Sequence, residues 1–98
     1  MPELIFEVQW PDGRRQRCYS PSLVMHDYLA SGADYTVADF VDRSAQALQQ
    51  ASDRVRAKFG FACTSAAATR AEIDSVAARF PSEATVRVVS MQPEMEAS

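Results

Sequence analysis

The stretch TVADFVDRSAQALQQASDRVRAKFG, residues 36–60, decides the fold. It reads as one long helix, about 36–59, with both ends marked. Thr36 is an N-cap residue, and Asp39 three positions on makes a start resembling a capping box. Val37, Phe40, Val41, Ser44, Leu48, Ala51, Val55 and Phe59 recur at steps of three and four, which draws one stripe on a 3.6-residue period. Asp39 and Asp42 stand in the first turns, and Arg54, Arg56 and Lys58 near the end, an order that suits the helix dipole. Asp39 and Arg43 are four apart, a pair worth about 0.3 kcal/mol. Gly60 can take the left-handed conformation that stops a helix. At about 1.5 Å per residue such a rod is roughly 35 Å long and crosses a whole small domain.

Working outward toward the N-terminus, Leu4 to Trp10 alternates. Leu4, Phe6, Val8 and Trp10 share one face of a strand, and Ile5, Glu7 and Gln9 the other. Pro11-Asp12-Gly13 supplies a turn with glycine at the left-handed position. That turn sets a hairpin register in which Phe6 opposes Cys18, Glu7 opposes Arg17 and Gln9 opposes Arg15. Apolar then meets apolar and charge meets counter-charge, so turn and cross-strand chemistry agree. Ser20-Pro21 reads as a cap followed by proline in the first helical position, opening a short helix over 21–30. Residues 31–35 read as a loop into the long helix.

Toward the C-terminus, Phe61 is expected to fold back onto the helix end. Thr64 or Ser65 caps a further helix over about 65–80, with Ala66, Ile73, Val76, Ala77 and Phe80 on one stripe. Pro81 ends it. Thr85 to Val89 is β-branched and reads as a strand. Residues 91–98 read as a flexible tail beyond a single domain of residues 1–90. The order predicts an α+β fold, ββαααβ, with a three-stranded sheet covered on one face by helices. The last strand is expected beside the first, with a right-handed crossover if the two are parallel.

Composition narrows the function classes. The chain has 98 residues, 47% apolar, with a net charge of −3. One domain follows from the length, and so small a domain cannot leave the apolar face of its main helix exposed. An acidic chain lacks the electrostatic footprint of a nucleic-acid binder. No apolar run is long enough to span a bilayer, and the N-terminal stretch has no signal-peptide pattern, so a cytoplasmic location is expected.

Two thiols, Cys18 and Cys63, are the candidates for unusual reactivity, because both are expected near helix N-termini, where helix amides lower a thiol pKa. The simpler reading is burial: Cys18 shares a strand face with Phe6, and free cysteine is among the most buried residues. His26-Asp27 lacks a visible third partner for a triad and reads as a surface histidine. One histidine and two distant cysteines give no metal-ligand spacing, and no glycine-rich loop suggests a cofactor. Arg14, Arg15 and Arg17 gather near Trp10, either as a basic patch or as the solvated face of a strand. Tyr19, Tyr28 and Tyr35 flank the short helix and form a candidate binding surface, since aromatic residues with polar tips favour interfaces.

A resemblance then enters on a run of motifs. Trp10-Pro11-Asp12-Gly13, Cys18-Tyr19-Ser20-Pro21-Ser22-Leu23-Val24, Tyr28-Leu29, Asp39-Phe40-Val41 and Gly60-Phe61-Ala62-Cys63 stand in the order and spacing of one family. The chain resembles, over about residues 1–80, the small bacterial nitrogen-starvation-response proteins encoded in nitrilase-containing gene clusters. The resemblance implies an accessory or binding protein rather than an enzyme, with no catalytic residues to carry over. It implies a protein partner from the cluster, with a small nitrile-derived metabolite as the other ligand class. A thiol-dependent enzyme or redox sensor using Cys18 and Cys63 is the competing expectation.

Overall fold

A computed structural model describes residues 3–60 and 64–93. The long helix is there in one piece: α1 runs Val37–Phe59, 23 residues. The Thr36 hydroxyl accepts from the Asp39 amide, and Gly60 closes the helix at φ 80°. Val37, Phe40, Ser44, Ala47, Leu48 and Ala51 are buried along it. The stripe fades beyond Ala51. Val55 is half-buried and Phe59 is 52% exposed, so the last turns of α1 run past the sheet.

The hairpin has the expected register. β1 (Leu4–Gln9) and β2 (Arg15–Ser20) pair antiparallel, with Phe6 opposite Cys18, Glu7 opposite Arg17 and Gln9 opposite Arg15. The turn closes through Trp10 N–H to Arg14 C=O at 2.8 Å and Gly13 N–H to Trp10 C=O at 2.9 Å.

The short helix differs from the expectation. It is a 3-10 helix, Leu23–Asp27, capped by Ser22 rather than Ser20. The reason lies in the sheet. Ser20 is still paired with Leu4 in the ladder, so its backbone is committed and the helix must start beyond Pro21. Ser20 bonds locally instead, its hydroxyl donating to the Ser22 carbonyl at 2.9 Å.

The sheet has four strands, not three, in the order β2-β1-β4-β3. The added strand is β3 (Asp34–Thr36), in the stretch expected to be a loop. The final strand β4 (Thr85–Gln92) lies beside β1, as expected, but antiparallel, so no crossover-handedness rule applies. Lying inside the sheet, β4 needs a partner on its other edge, and β3 supplies it antiparallel. Val88 N–H donates to Ala33 C=O at 3.0 Å, and Gly32 N–H to Val88 C=O at 2.6 Å.

β4 is also longer than the expected Thr85–Val89, and Met91 is fully buried in it. A register shift between Glu7 and Val8 explains why alternation hid this. Val8 opposes Val88 and Glu7 opposes Ser90, which leaves Val89 as the extra residue of a bulge. The bulge resets the parity, so Val86, Val88 and Met91 all face the core. Residues 94–98 of the expected tail lie outside the described residues.

Among the described residues there are two α-helices rather than three. The second, α2 (Thr64–Ala77), contributes Ala66, Ile73 and Ala77 to the core. It ends before Phe80, and residues 78–80 continue in tight turns, with Arg79 N–H to Val76 C=O at 3.0 Å and Phe80 N–H to Ala77 C=O at 3.1 Å. The expected cap at Thr64 or Ser65 lies inside the helix. Phe61 and Cys63 lie outside the described residues.

Candidate functional site

The hairpin tip meets the turns that follow α2. Trp10, the last apolar residue on the inner face of β1, is buried against two rings. Phe40 of α1 meets it edge-on at 5.5 Å and 89°, and Phe80 stacks on it at 5.9 Å and 11°. Its indole N–H donates to the Gln16 side-chain oxygen at 2.9 Å, so the ring has no unpaired donor. The turns after α2 and Pro81 hold Phe80 in that stack.

Beside the stacked rings lies a cleft of about 200 Å³ between the hairpin tip and the end of α2. Val76 and Phe80 give it an apolar wall. Arg14 and Arg79 give it two guanidinium groups against one carboxylate, Asp12, while Arg15 lines it from the strand end with its guanidinium on the other sheet face. Asp12 organises the near rim: it accepts from the Arg14 amide at 3.0 Å and faces the Arg14 guanidinium at 3.4 Å. Arg15 leans toward Glu7 at 3.7 Å, a solvent-exposed pair that binds weakly. Arg79 is exposed and forms no ion pair within the 4.0 Å limit among the described residues. The cleft is thus a positive concavity on an acidic chain.

Of the arginines expected near Trp10, the structure brings Arg14 and Arg15 to the cleft. Arg17 lies on β2 opposite Glu7 and is not part of the lining. Arg79 was not in the sequence reading. It is separated from the hairpin by more than sixty residues, and only its place beside Phe80-Pro81 at a helix end hinted at a role.

The three tyrosines do not form one surface. Tyr28 and Tyr35 meet at Arg43 of α1. The Arg43 guanidinium sits over the Tyr35 ring at 5.2 Å, donates to the Tyr28 carbonyl at 3.1 Å, and bonds Asp39 at 2.9 Å. The Tyr28 hydroxyl donates to the Gln50 side chain at 2.9 Å, and the Tyr35 hydroxyl accepts from the Ala30 amide at 2.9 Å. These bonds tie the 3-10 helix and its following loop to α1. Tyr19 lies apart, on the opposite sheet face from Cys18 and Ser20, with Ile5 across from it. Its carbonyl accepts from Thr69 of α2 at 2.7 Å.

Cys18 is buried, and its pKa is pushed up to about 12, first by burial and then by the Glu72 carboxylate. That is the reverse of the activation a nucleophilic thiol needs. His26 is engaged by the Pro93 carbonyl at 2.9 Å through Nε2. Among the described residues no group of three metal-ligating side chains comes together, and no helix is long and apolar enough to cross a membrane.

The family described as nitrogen starvation-induced protein NitG matches residues 5–91. The match spans most of the chain and reaches through β4, beyond the segments on which the resemblance was first drawn. Comparison with curated proteins and with solved structures returned no match. The chain belongs to the NitG family of nitrogen starvation-induced proteins.

Proposed function

We propose that this NitG-family member is a non-catalytic binding protein of the nitrogen-starvation response, acting in the cytoplasm as an accessory to enzymes of a nitrilase-containing cluster. The cleft at the hairpin tip carries this reading. It offers the guanidinium groups of Arg14 and Arg79 and an apolar wall in one exposed concavity, the layout of a recognition site. Arginine presents several donors in a rigid fork that matches carboxylates. The buried, proton-retaining Cys18 speaks for recognition over thiol chemistry. Reconstitution tests it. The purified chain is mixed with the purified nitrilase and the other cluster proteins, and the mixtures are run by size exclusion. Co-elution with one of them, weakened by Arg14→Gln or Arg79→Gln, is the expected result. Separate elution from every cluster protein contradicts the accessory role.

A further inference from the structure

We propose that the cleft between the hairpin tip and the end of α2 binds a small organic acid, with its carboxylate on Arg79 and Arg14 and its hydrocarbon body against Val76 and Phe80. The inference rests on reading the protein as a binding protein and adds the ligand's chemistry.

Three features support it. The first is charge. The lining offers the guanidinium groups of Arg14 and Arg79 and one carboxylate, while the whole chain carries −3. An anion is drawn to a concavity whose local sign is opposite to that of the chain. Arg14 is partly satisfied by Asp12 and Arg15 by Glu7, whereas Arg79 forms no ion pair within 4.0 Å among the described residues. Arg79 therefore has the donors to give, and an incoming carboxylate displaces only water from it.

The second is the wall. Val76 and Phe80 are half-buried, and each leaves hydrocarbon facing the cleft. A bare oxyanion would leave this surface wet. A ligand with an apolar or aromatic body covers it, which adds affinity in proportion to the area removed from water. The third is size. A volume of about 200 Å³ holds roughly seven water-sized groups at about 30 Å³ each. That suits a short carboxylic acid.

The site is also built on fixed parts. Phe80 is stacked on Trp10, Trp10 is held by Gln16 and Phe40, and Arg14 is anchored by Asp12. A ligand meets an apolar wall already in place, so the ordering entropy that opposes binding is confined to the exposed arginine side chains.

The test is a titration of the ¹⁵N-labelled full chain with three probes: benzoate, its uncharged counterpart benzamide, and inorganic phosphate. The Trp10 indole N–H and the amides of Arg14, Arg79 and Phe80 report on the cleft. Benzoate should give saturable shifts confined to these signals, and benzamide and phosphate should bind at least about ten-fold more weakly. Arg79→Gln should weaken benzoate by about ten-fold or more without lowering the thermal midpoint, and Arg56→Gln on α1 should leave it unchanged. Equal binding of benzamide overturns the charge argument, and phosphate matching benzoate overturns the organic acid. No saturable shift, shifts elsewhere, or an Arg79→Gln variant that binds as well as the parent overturns the site. A blank titration beside positive co-elution sinks this inference and leaves the accessory role standing; the opposite pattern removes the accessory role alone.

Discussion

Cys18 shows how one side chain's surroundings choose between two chemistries that its neighbours in sequence leave open. Placed before Ser20-Pro21, it was expected near a helix N-terminus that would favour a thiolate. The helix starts later, at Leu23, and is a single short turn, while the strand face puts the sulfur in the core. Burial then holds its proton up to about pH 12, against an ordinary 9.0. We expect slow alkylation of Cys18 at neutral pH, with the rate set by opening of the structure, and this can be followed by mass spectrometry of the peptide. The sign of the linkage follows. The unfolded thiol ionises above about pH 9 while the folded one stays protonated, so the contribution of Cys18 to stability should be constant below that pH and fall from there toward pH 12. Denaturant midpoints across that range for the parent and for Cys18→Ala should show the parent's extra slope. Equal slopes would remove the assignment. Trp10 is the only tryptophan, which makes its emission an unambiguous reporter. Removing its stacked cover in Phe80→Ala should shift that emission to the red and cost about 3 kcal/mol or less, since Phe80 is only half-buried.

The elements legible in the sequence were those fixed by their own neighbours. α1 carries its cap, its stripe and its stop within 25 residues, and the hairpin register follows from one glycine turn. What sequence hid was non-local. β3 has three residues and exists because β4 needs a partner on its outer edge. The end of β4 was masked by the bulge at Val89, which breaks the alternation by one residue, although Met91 beyond it is fully buried. Arg79 joins the arginines of the hairpin only because the antiparallel order of β1 and β4 brings the end of α2 to the tip. Two substitutions test the element scale. Thr36→Ala should cost about 1 kcal/mol in urea unfolding, through loss of the bond to the Asp39 amide. Met91→Ala should cost about 2–5 kcal/mol, whereas Val89→Ala at the bulge should cost clearly less. Near-equal losses would place both side chains in like surroundings and contradict the bulge.

At the scale of the molecule, one face of a four-stranded sheet is roofed by a rod longer than the sheet needs, and a second helix ends where the first hairpin turns. The core runs continuously from Leu4 and Phe6 through Phe40 and Leu48 to Ile73 and Met91. Membership of the NitG family places the chain among nitrogen starvation-induced proteins, and the proposed recognition role rests on the hairpin tip meeting the end of α2. That meeting is open to one direct measurement: nuclear Overhauser contacts from the Trp10 indole in the folded chain. The account predicts strong contacts to the rings of both Phe40 and Phe80. An indole that contacts Phe40 but not Phe80 would leave the hairpin tip apart from α2, dissolve the cleft and contradict the function built on it.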